Sequence, residues 1–351
     1  MKQLLFMTSL LCWMVGYWLL DSHQATQAQT IIPSITALFR SSSVSIVAQT
    51  TRAAIKTPTP KPSNNLETCS SEQCFLQGHF LLDAPISTEG NRKPDATYRY
   101  GYTQKYKRPL HHGIDLKNEL DIPVLAAEEG IVIVAGKDNE RAYAPQTNFY
   151  GQLVVLRHDL PTLEKTLYTL YGHLNQVTVK LGQKVKMGQK IGTVGMSGIA
   201  IGYHLHFEVR YGKNDYDSTR NPELWLHSPL NELGQPTGVL SGRIVNSQGQ
   251  PMRIAKIVLT RKEAASGEMP IYLGTYDDSP IPHDGGAGDD SYLMPFETRS
   301  LGRDDVLDED FTISGLTPGI YTFAFTSNKV YSLQIEIFPE KLTFLHIVAD
   351  S

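Results

Sequence analysis

Between Ile122 and Tyr211 the chain is a succession of short runs: I-P-V-L-A-A, G-I-V-I-V-A-G, Q-L-V-V-L-R-H, L-Y-T-L-Y-G-H-L and H-L-H-F-E-V-R-Y. Each is rich in β-branched and aromatic residues and is bounded by Gly, Asn or Asp. No apolar period of 3.6 residues runs between them, so this stretch is committed to strands rather than helices. Short strands joined by tight turns return antiparallel to one another. The pattern predicts an antiparallel β-sheet domain over residues 75–232, with F-L-L-D-A-P-I, Phe80–Ile86, as its entry strand. A second strand-rich stretch covers residues 238–351. It runs from L-S-G-R-I-V through F-T-I-S-G-L-T-P-G-I-Y-T-F to L-T-F-L-H-I-V, with turn residues at short spacing, as in a small β-sandwich. The expected fold class is therefore mainly β.

At 351 residues the chain has room for two such domains. A formal net charge of -4, with 19% charged residues, gives no sign of the basic surface that binding nucleic acid requires. Lys2 and the apolar run Leu4–Leu20 read as a secretory signal over residues 1–28, with an uncleaved membrane anchor as the rival reading. Either implies an exported protein of the periplasm, cell envelope or extracellular space, with possible N-terminal membrane association. Residues 29–74 read as a Ser/Thr/Pro-rich linker ending in T-P-T-P-K-P-S-N-N, stiff and with little to bury. Cys12 lies in the apolar run. The remaining pair, Cys69 and Cys74, favours a small disulfide in an oxidising compartment over a metal site.

Chemistry concentrates in two short stretches. In H-L-H-F-E, period two places His204, His206 and Glu208 on one face of a strand, while Leu205, Phe207 and Val209 face the core. In H-H-G-I-D, Gly113 permits a backbone bend that brings a histidine and Asp115 toward a common point. Two imidazole nitrogens and one carboxylate oxygen make a catalytic zinc shell with the fourth position left for water. Spacing alone leaves His112 competing with His111, and His204 with His206. Glu208 is not the base of an H-E-x-x-H peptidase, because that motif is absent and needs a helix. It more readily orients a histidine. The glycines from Gly182 to Gly198 mark tight turns, since no parallel strand leads into a G-x-G-x-x-G and a helix. Tyr98, Tyr100, Tyr102 and Tyr106 read as ordinary β-surface packing or as one wall of a groove. The polar loop P-H-D-G-G-A-G-D-D-S lacks the ligand order of a calcium loop, and the acidic run Asp304–Asp310 reads as a solvated turn.

H-H-G-I-D, Y-G-H-L and H-L-H-F-E, in that order, resemble the LytM/lysostaphin-type zinc peptidases, the M23 peptidase family. The connecting text P-V-L-A-A-E-E-G-I-V-I-V-A-G, the V-K-x-G-Q run and N-P-x-x-W-L agree with it, from about residue 98 to 230. The resemblance implies a LytM/duplicated-hybrid-motif sheet with one zinc ion held by His111, Asp115 and His206. It implies His173 and His204 as the catalytic pair, one acting as general base and one stabilising the oxyanion. The substrate class it implies is peptidoglycan peptides, in stems or cross-bridges, cut by a metalloendopeptidase. Residues 238–349 resemble carboxypeptidase regulatory-like β-sandwich modules, which serve as spacers or adhesive attachments. The opposing expectation is a non-catalytic wall-binding protein or an activator of other cell-wall hydrolases. Such proteins lose the metal positions, all of which are present here.

Overall fold

The computed structural model describes residues 73–76, 79–105, 107–264, 267–278 and 301–350. The expected signal, most of the linker, Cys69, Tyr106 and the polar loop at 282–291 lie outside the described residues. The described residues all fall within one compact unit. Among the described residues the regular elements are strands β1–β18 and two short 3₁₀ turns, with no α-helix.

The sheet that carries the histidines has seven strands, all paired antiparallel. Its order is β11 (Thr219–Arg220), β10 (His204–Tyr211), β6 (Leu167–Gly172), β5 (Gln152–His158), β4 (Gly130–Lys137), β8 (Lys184–Val185), with β2 (Ile114–Lys117) also paired to β10. β10 is the hub. One edge pairs with β6 in the register His206↔Gly172, and the other with β2 in the register His206↔Asp115. A three-stranded sheet of β3 (Pro123–Leu125), β9 (Lys190–Val194) and β7 (Leu174–Val177) completes this part. Alternation along β10 does what the sequence predicts. Leu205, Phe207 and Val209 enter the main core with Ile114, Leu116, Val154, Leu156 and Trp225. The opposite face is also covered, by a smaller cluster of Tyr150, Leu153, Val155, Leu170 and Tyr216. His204, His206, Glu208 and Arg210 are therefore held between two apolar layers, and all four are buried.

Beyond Gly238 two four-stranded sheets share a separate core. One has the order β1 (Gln73–Leu76), β18 (Leu342–Val348), β12 (Gly238–Val245), β15 (Phe311–Leu316). The other runs β14 (Ile271–Leu273), β13 (Ile257–Arg261), β16 (Gly319–Thr326), β17 (Val330–Ile337). Leu240, Phe311 and Leu345 from the first meet Leu259, Phe323 and Ile335 from the second.

Two sequence expectations are corrected. The run Phe80–Ile86 is not the first strand of the histidine-bearing sheet. Gln73–Leu76 forms β1 and pairs with β18, while Leu82 and Ile86 make only isolated bridges. Apolar alternation reports that a segment pairs but not with which edge. The acidic run is not a solvated turn either: Asp304, Glu309 and Asp310 are buried. Each finds local donors. Asp304 accepts from the backbone of Val306 and Leu307 and lies 2.6 Å from His79 Nε2. Glu309 accepts from Tyr276 and from the Asp304 amide, and Asp310 from the Ile244 amide.

Candidate metal centre

Three donor atoms converge where β2 meets β10. His111 Nε2 lies 3.2 Å from Asp115 Oδ1 and 3.2 Å from His206 Nδ1, and His206 Nδ1 lies 3.1 Å from Asp115 Oδ1. Among the described residues this is the one group of His, Cys, Asp or Glu side chains spaced to hold a metal ion. The pairing Asp115↔His206 across β2 and β10 sets two of the donors directly opposite each other. His111 arrives from the loop before β2, and its Nδ1–H donates to the Tyr98 carbonyl at 2.8 Å. That bond leaves the Nε2 lone pair facing the cluster.

Gly113 is required for a different reason from the one its sequence suggests. It does not occupy the left-handed region. A Cβ there would lie 2.5 Å from the Phe207 carbonyl oxygen and 2.8 Å from His206 Cε1. The residue is glycine because β2 passes too close to β10 for any side chain.

His206 is held from behind by a buried polar chain. Its Nε2–H donates to Glu208 Oε1 at 3.0 Å, and the Tyr150 hydroxyl donates to the same oxygen. Arg210 Nε donates to Glu208 Oε2 at 2.7 Å, and its Nη2 reaches Tyr150 Oη at 3.0 Å and the Tyr143 carbonyl at 2.9 Å. Burial opposes ionisation of Glu208, but the Arg210 charge and His206 outweigh it and hold the carboxyl down to about 2. Burial likewise disfavours a charged His206, yet hydrogen bonds to Asp115 and Glu208 push it up to about 9. A proton and a metal cation compete for the same Nδ1 lone pair, so metal binding here releases a proton. Asp115 is well below the usual carboxylate range, because the attraction of His111 and His206 overcomes its burial.

Two further imidazoles flank the cluster. The His204 ring is 4.8 Å from that of His173, and His204 Nε2 is 3.6 Å from Asp115 Oδ1. Each has its Nδ1–H tied to a backbone carbonyl, Gly202 at 2.9 Å for His204 and Ser197 at 2.8 Å for His173. Both therefore present an unprotonated Nε2. Burial pulls His173 down to about 3, reinforced by the charges of His206 and His204, and burial also lowers His204. His173 is a non-glycine residue with a φ of +60°, a strained conformation of the kind that persists only when neighbours over-determine it. Its amide donates to Tyr150 O at 2.9 Å. Behind it the loops at Gly151 and Gly198 cross so closely that a Cβ on either would lie 2.4 Å from the other's amide nitrogen.

Other sequence candidates separate cleanly. His112 points away from the cluster, stacked on Tyr216 with centroids 3.8 Å apart and bonded to Thr219. Tyr98 stacks on His111 at 4.0 Å and so belongs to the site, while Tyr100 packs with Tyr276 and Leu301 away from it. Sequence reasoning missed the supports: Tyr150, Arg210 and the carbonyls of Tyr98, Ser197 and Gly202. Backbone carbonyls leave no residue signature, and Tyr150 has no fixed offset from any histidine.

Antiparallel sheet and buried His/Asp/His cluster define a metallopeptidase-like domain. The model for peptidase family M23 matches residues 109–218. The peptidoglycan DD-endopeptidase ShyB of Vibrio cholerae is 36% identical over 140 residues, covering 37% of this chain and 30% of that protein. A lipoprotein NlpD/LppB homolog of Pseudomonas aeruginosa is 38% identical over 101 residues, 29% of each chain. The catalytic domain of lysostaphin from Staphylococcus simulans is 28% identical, with 36% of this chain and 86% of that one aligned at a TM-score of 0.30. The chain spans about a third of the length of the curated relatives it matches.

Proposed function

We propose that this chain is an exported zinc metalloendopeptidase that hydrolyses peptide bonds in peptidoglycan stems or cross-bridges. The observation that carries the reading is the triangle of His111 Nε2, Asp115 Oδ1 and His206 Nδ1, with edges of 3.1–3.2 Å. Two nitrogens and one oxygen at ordinary zinc distances in a tetrahedron stand roughly 3.3 Å apart. Donor type, spacing and the Glu208 carboxylate behind His206 all suit that ion. Zinc supplies Lewis acidity, which lowers the pKa of water and polarises the scissile carbonyl.

The chain's own residues supply the proton handling. His204 Nε2, unprotonated and beside the cluster, takes the proton as water adds to the carbonyl carbon. His173 presents a second neutral Nε2 from its rigid turn. Given at Nε2 the proton that His204 took from the water, it donates to the developing oxyanion or to the departing nitrogen. The C–N bond breaks, the proton passes to the amine, and a carboxylate and an amine leave. The presence of both imidazoles beside the donor set favours an enzyme over a wall-binding or activating protein.

Export is supported by the disulfide-bonded state of Cys74, since such bonds persist in oxidising compartments. On this reading residues 1–28 direct or anchor the chain at the envelope and the linker ends before Gln73. The peptidase domain then follows β1 and runs to about residue 232, and residues 238–351, joined by β1, form a β-sandwich of the carboxypeptidase regulatory-like kind. Purified, zinc-loaded protein incubated with isolated peptidoglycan is expected to release cross-link fragments, with the new termini located by mass spectrometry. Unchanged wall peptides from metallated, folded protein would sink the peptidase reading.

A further inference from the structure

The segment leading into His111 carries Lys105, Lys107 and Arg108 within four positions. It is folded back on itself, with the Arg108 amide donating to Thr103 O at 3.0 Å, the His111 amide to Tyr102 O at 3.1 Å and the Gly101 amide to His111 O at 2.8 Å. Lys105 and Lys107 are exposed and Arg108 half-buried. None of the three has an ion-pair partner among the described residues. Acids on the adjoining segments are already engaged: Asp95 with Lys117 at 2.7 Å, Glu223 with Arg99 at 2.9 Å, and Asp277 with Arg253 at 3.0 Å. In a chain of net charge -4 this leaves a local excess of positive charge on the segment leading into His111.

Arg108 is also placed. Its guanidinium carbon lies 5.1 Å from the centroid of Tyr98, and Tyr98 in turn stacks on His111 with ring planes 7° apart. One aromatic ring separates this cation from a member of the metal cluster. The Tyr98 hydroxyl, donating to Pro109 O at 2.7 Å, pins the ring to the return arm of the loop. The other segment bordering the site, Met196–Tyr203, contains no charged residue, and Met196, Ile199, Ile201 and Tyr203 are all exposed there. The site therefore offers a cationic border and an apolar one.

Resting on the peptidase reading above, we propose that Arg108, backed by Lys105 and Lys107, is a specificity-determining residue that binds a free carboxylate of the substrate peptide beside the scissile bond. A stacked guanidinium keeps its donor edge free and suits a planar carboxylate bidentately. Of the peptidoglycan linkages, a direct D-alanyl–diaminopimelate link has both a small methyl and a neighbouring carboxylate, whereas a polyglycine bridge has neither. The geometry assigns the first class to this site.

The test uses the full chain, zinc-loaded, with two synthetic cross-link peptides that differ only in whether the neighbouring carboxylate is free or converted to the carboxamide. KM is expected to be about tenfold lower for the free carboxylate, with kcat alike, and the gap should close in Arg108→Gln and persist in Arg108→Lys. Equal KM values in the wild type, or a gap of undiminished size in a folded Arg108→Gln, would overturn the assignment. If the wild type cleaves neither peptide, it is the peptidase reading that fails. Equilibrium binding of the same two peptides then decides the carboxylate claim, and equal Kd values would end it. Should Arg108→Gln not fold, the double variant Lys105→Gln/Lys107→Gln is read instead, with at least a twofold narrowing of the gap expected and an unchanged gap counting against the proposal.

Discussion

At the scale of single residues, the five imidazole and carboxylate groups differ in what their second atoms touch. His111 and His206 each use one nitrogen on a fixed acceptor, Tyr98 O and Glu208, and turn the other toward Asp115. His204 and His173 use Nδ1 on carbonyls and turn Nε2 into the site without joining the triangle. That difference predicts divided phenotypes. His206→Ala should lose nearly all bound zinc, by elemental analysis of dialysed protein. His204→Ala should keep its zinc and lose turnover by roughly 10²–10⁴-fold, the usual range for a lost general base. Equal and complete metal loss in both would contradict the assignment. The sequence alone left His111 against His112 and His204 against His206 open. Adjacent histidines are told apart by which carbonyl each ring meets, and spacing does not encode that.

At the scale of elements, the site depends on how closely β2 lies against β10. The register Asp115↔His206 places the two donors opposite each other, and the bare Cα of Gly113 lets the strands approach. Gly113→Ala would drive a methyl into the Phe207 carbonyl and the His206 ring. It should weaken zinc binding by about tenfold or more while the remaining strands keep the chain folded. Chelator competition measures the first effect and the far-ultraviolet spectrum the second; wild-type affinity in the variant would show that β2 has room to spare. The strand content of this sheet was legible, because alternation along Leu205, Phe207 and Val209 has a single outlet, the core. The reason for Gly113 was not legible, since close approach and positive φ both select glycine. The partner of Gln73–Leu76 was equally hidden: β1 joins β18, more than two hundred residues away in the chain.

At the scale of the whole molecule, the two strand-rich regions interlock. Arg99, next to Tyr98, pairs with buried Glu223 at 2.9 Å, and Glu223 also accepts from the Ser314 amide and hydroxyl at 2.7 Å on β15. Thr103 Oγ1 donates to Asp277 at 2.8 Å, and the Tyr102 hydroxyl meets the backbone of Gly274. The loop that carries Tyr98 and leads to His111 is thus braced by residues beyond Gly238. The same junction buries Glu309, which burial, with the nearby Asp304 charge, pushes up to about 8. The unfolded chain ionises this carboxyl from about pH 4.5, and the folded one resists until about pH 8, so its contribution to stability is full below that window and declines across it. Glu309→Gln should therefore gain on the wild type by a few kcal/mol between pH 5 and pH 8. Denaturant unfolding at the two pH values measures it; a difference that does not change with pH would rule the effect out.

Composition and periodicity determined, without any coordinates, that this chain is mainly β and that one face of a strand carries His204, His206 and Glu208. Both follow from local physics: side-chain direction alternates along a strand and apolar residues leave water. Motif order likewise pointed to the five candidate site residues. Tertiary structure alone decided which nitrogen of each ring faces the cluster and that His112 stands apart. It also decided that Asp304, Glu309 and Asp310 of the acidic run are buried, and that a loop braced from the distant sheet brings a tyrosine and an arginine to the candidate metal centre. These depend on contacts between segments far apart in sequence, where the deciding partner is often a backbone atom that every residue possesses.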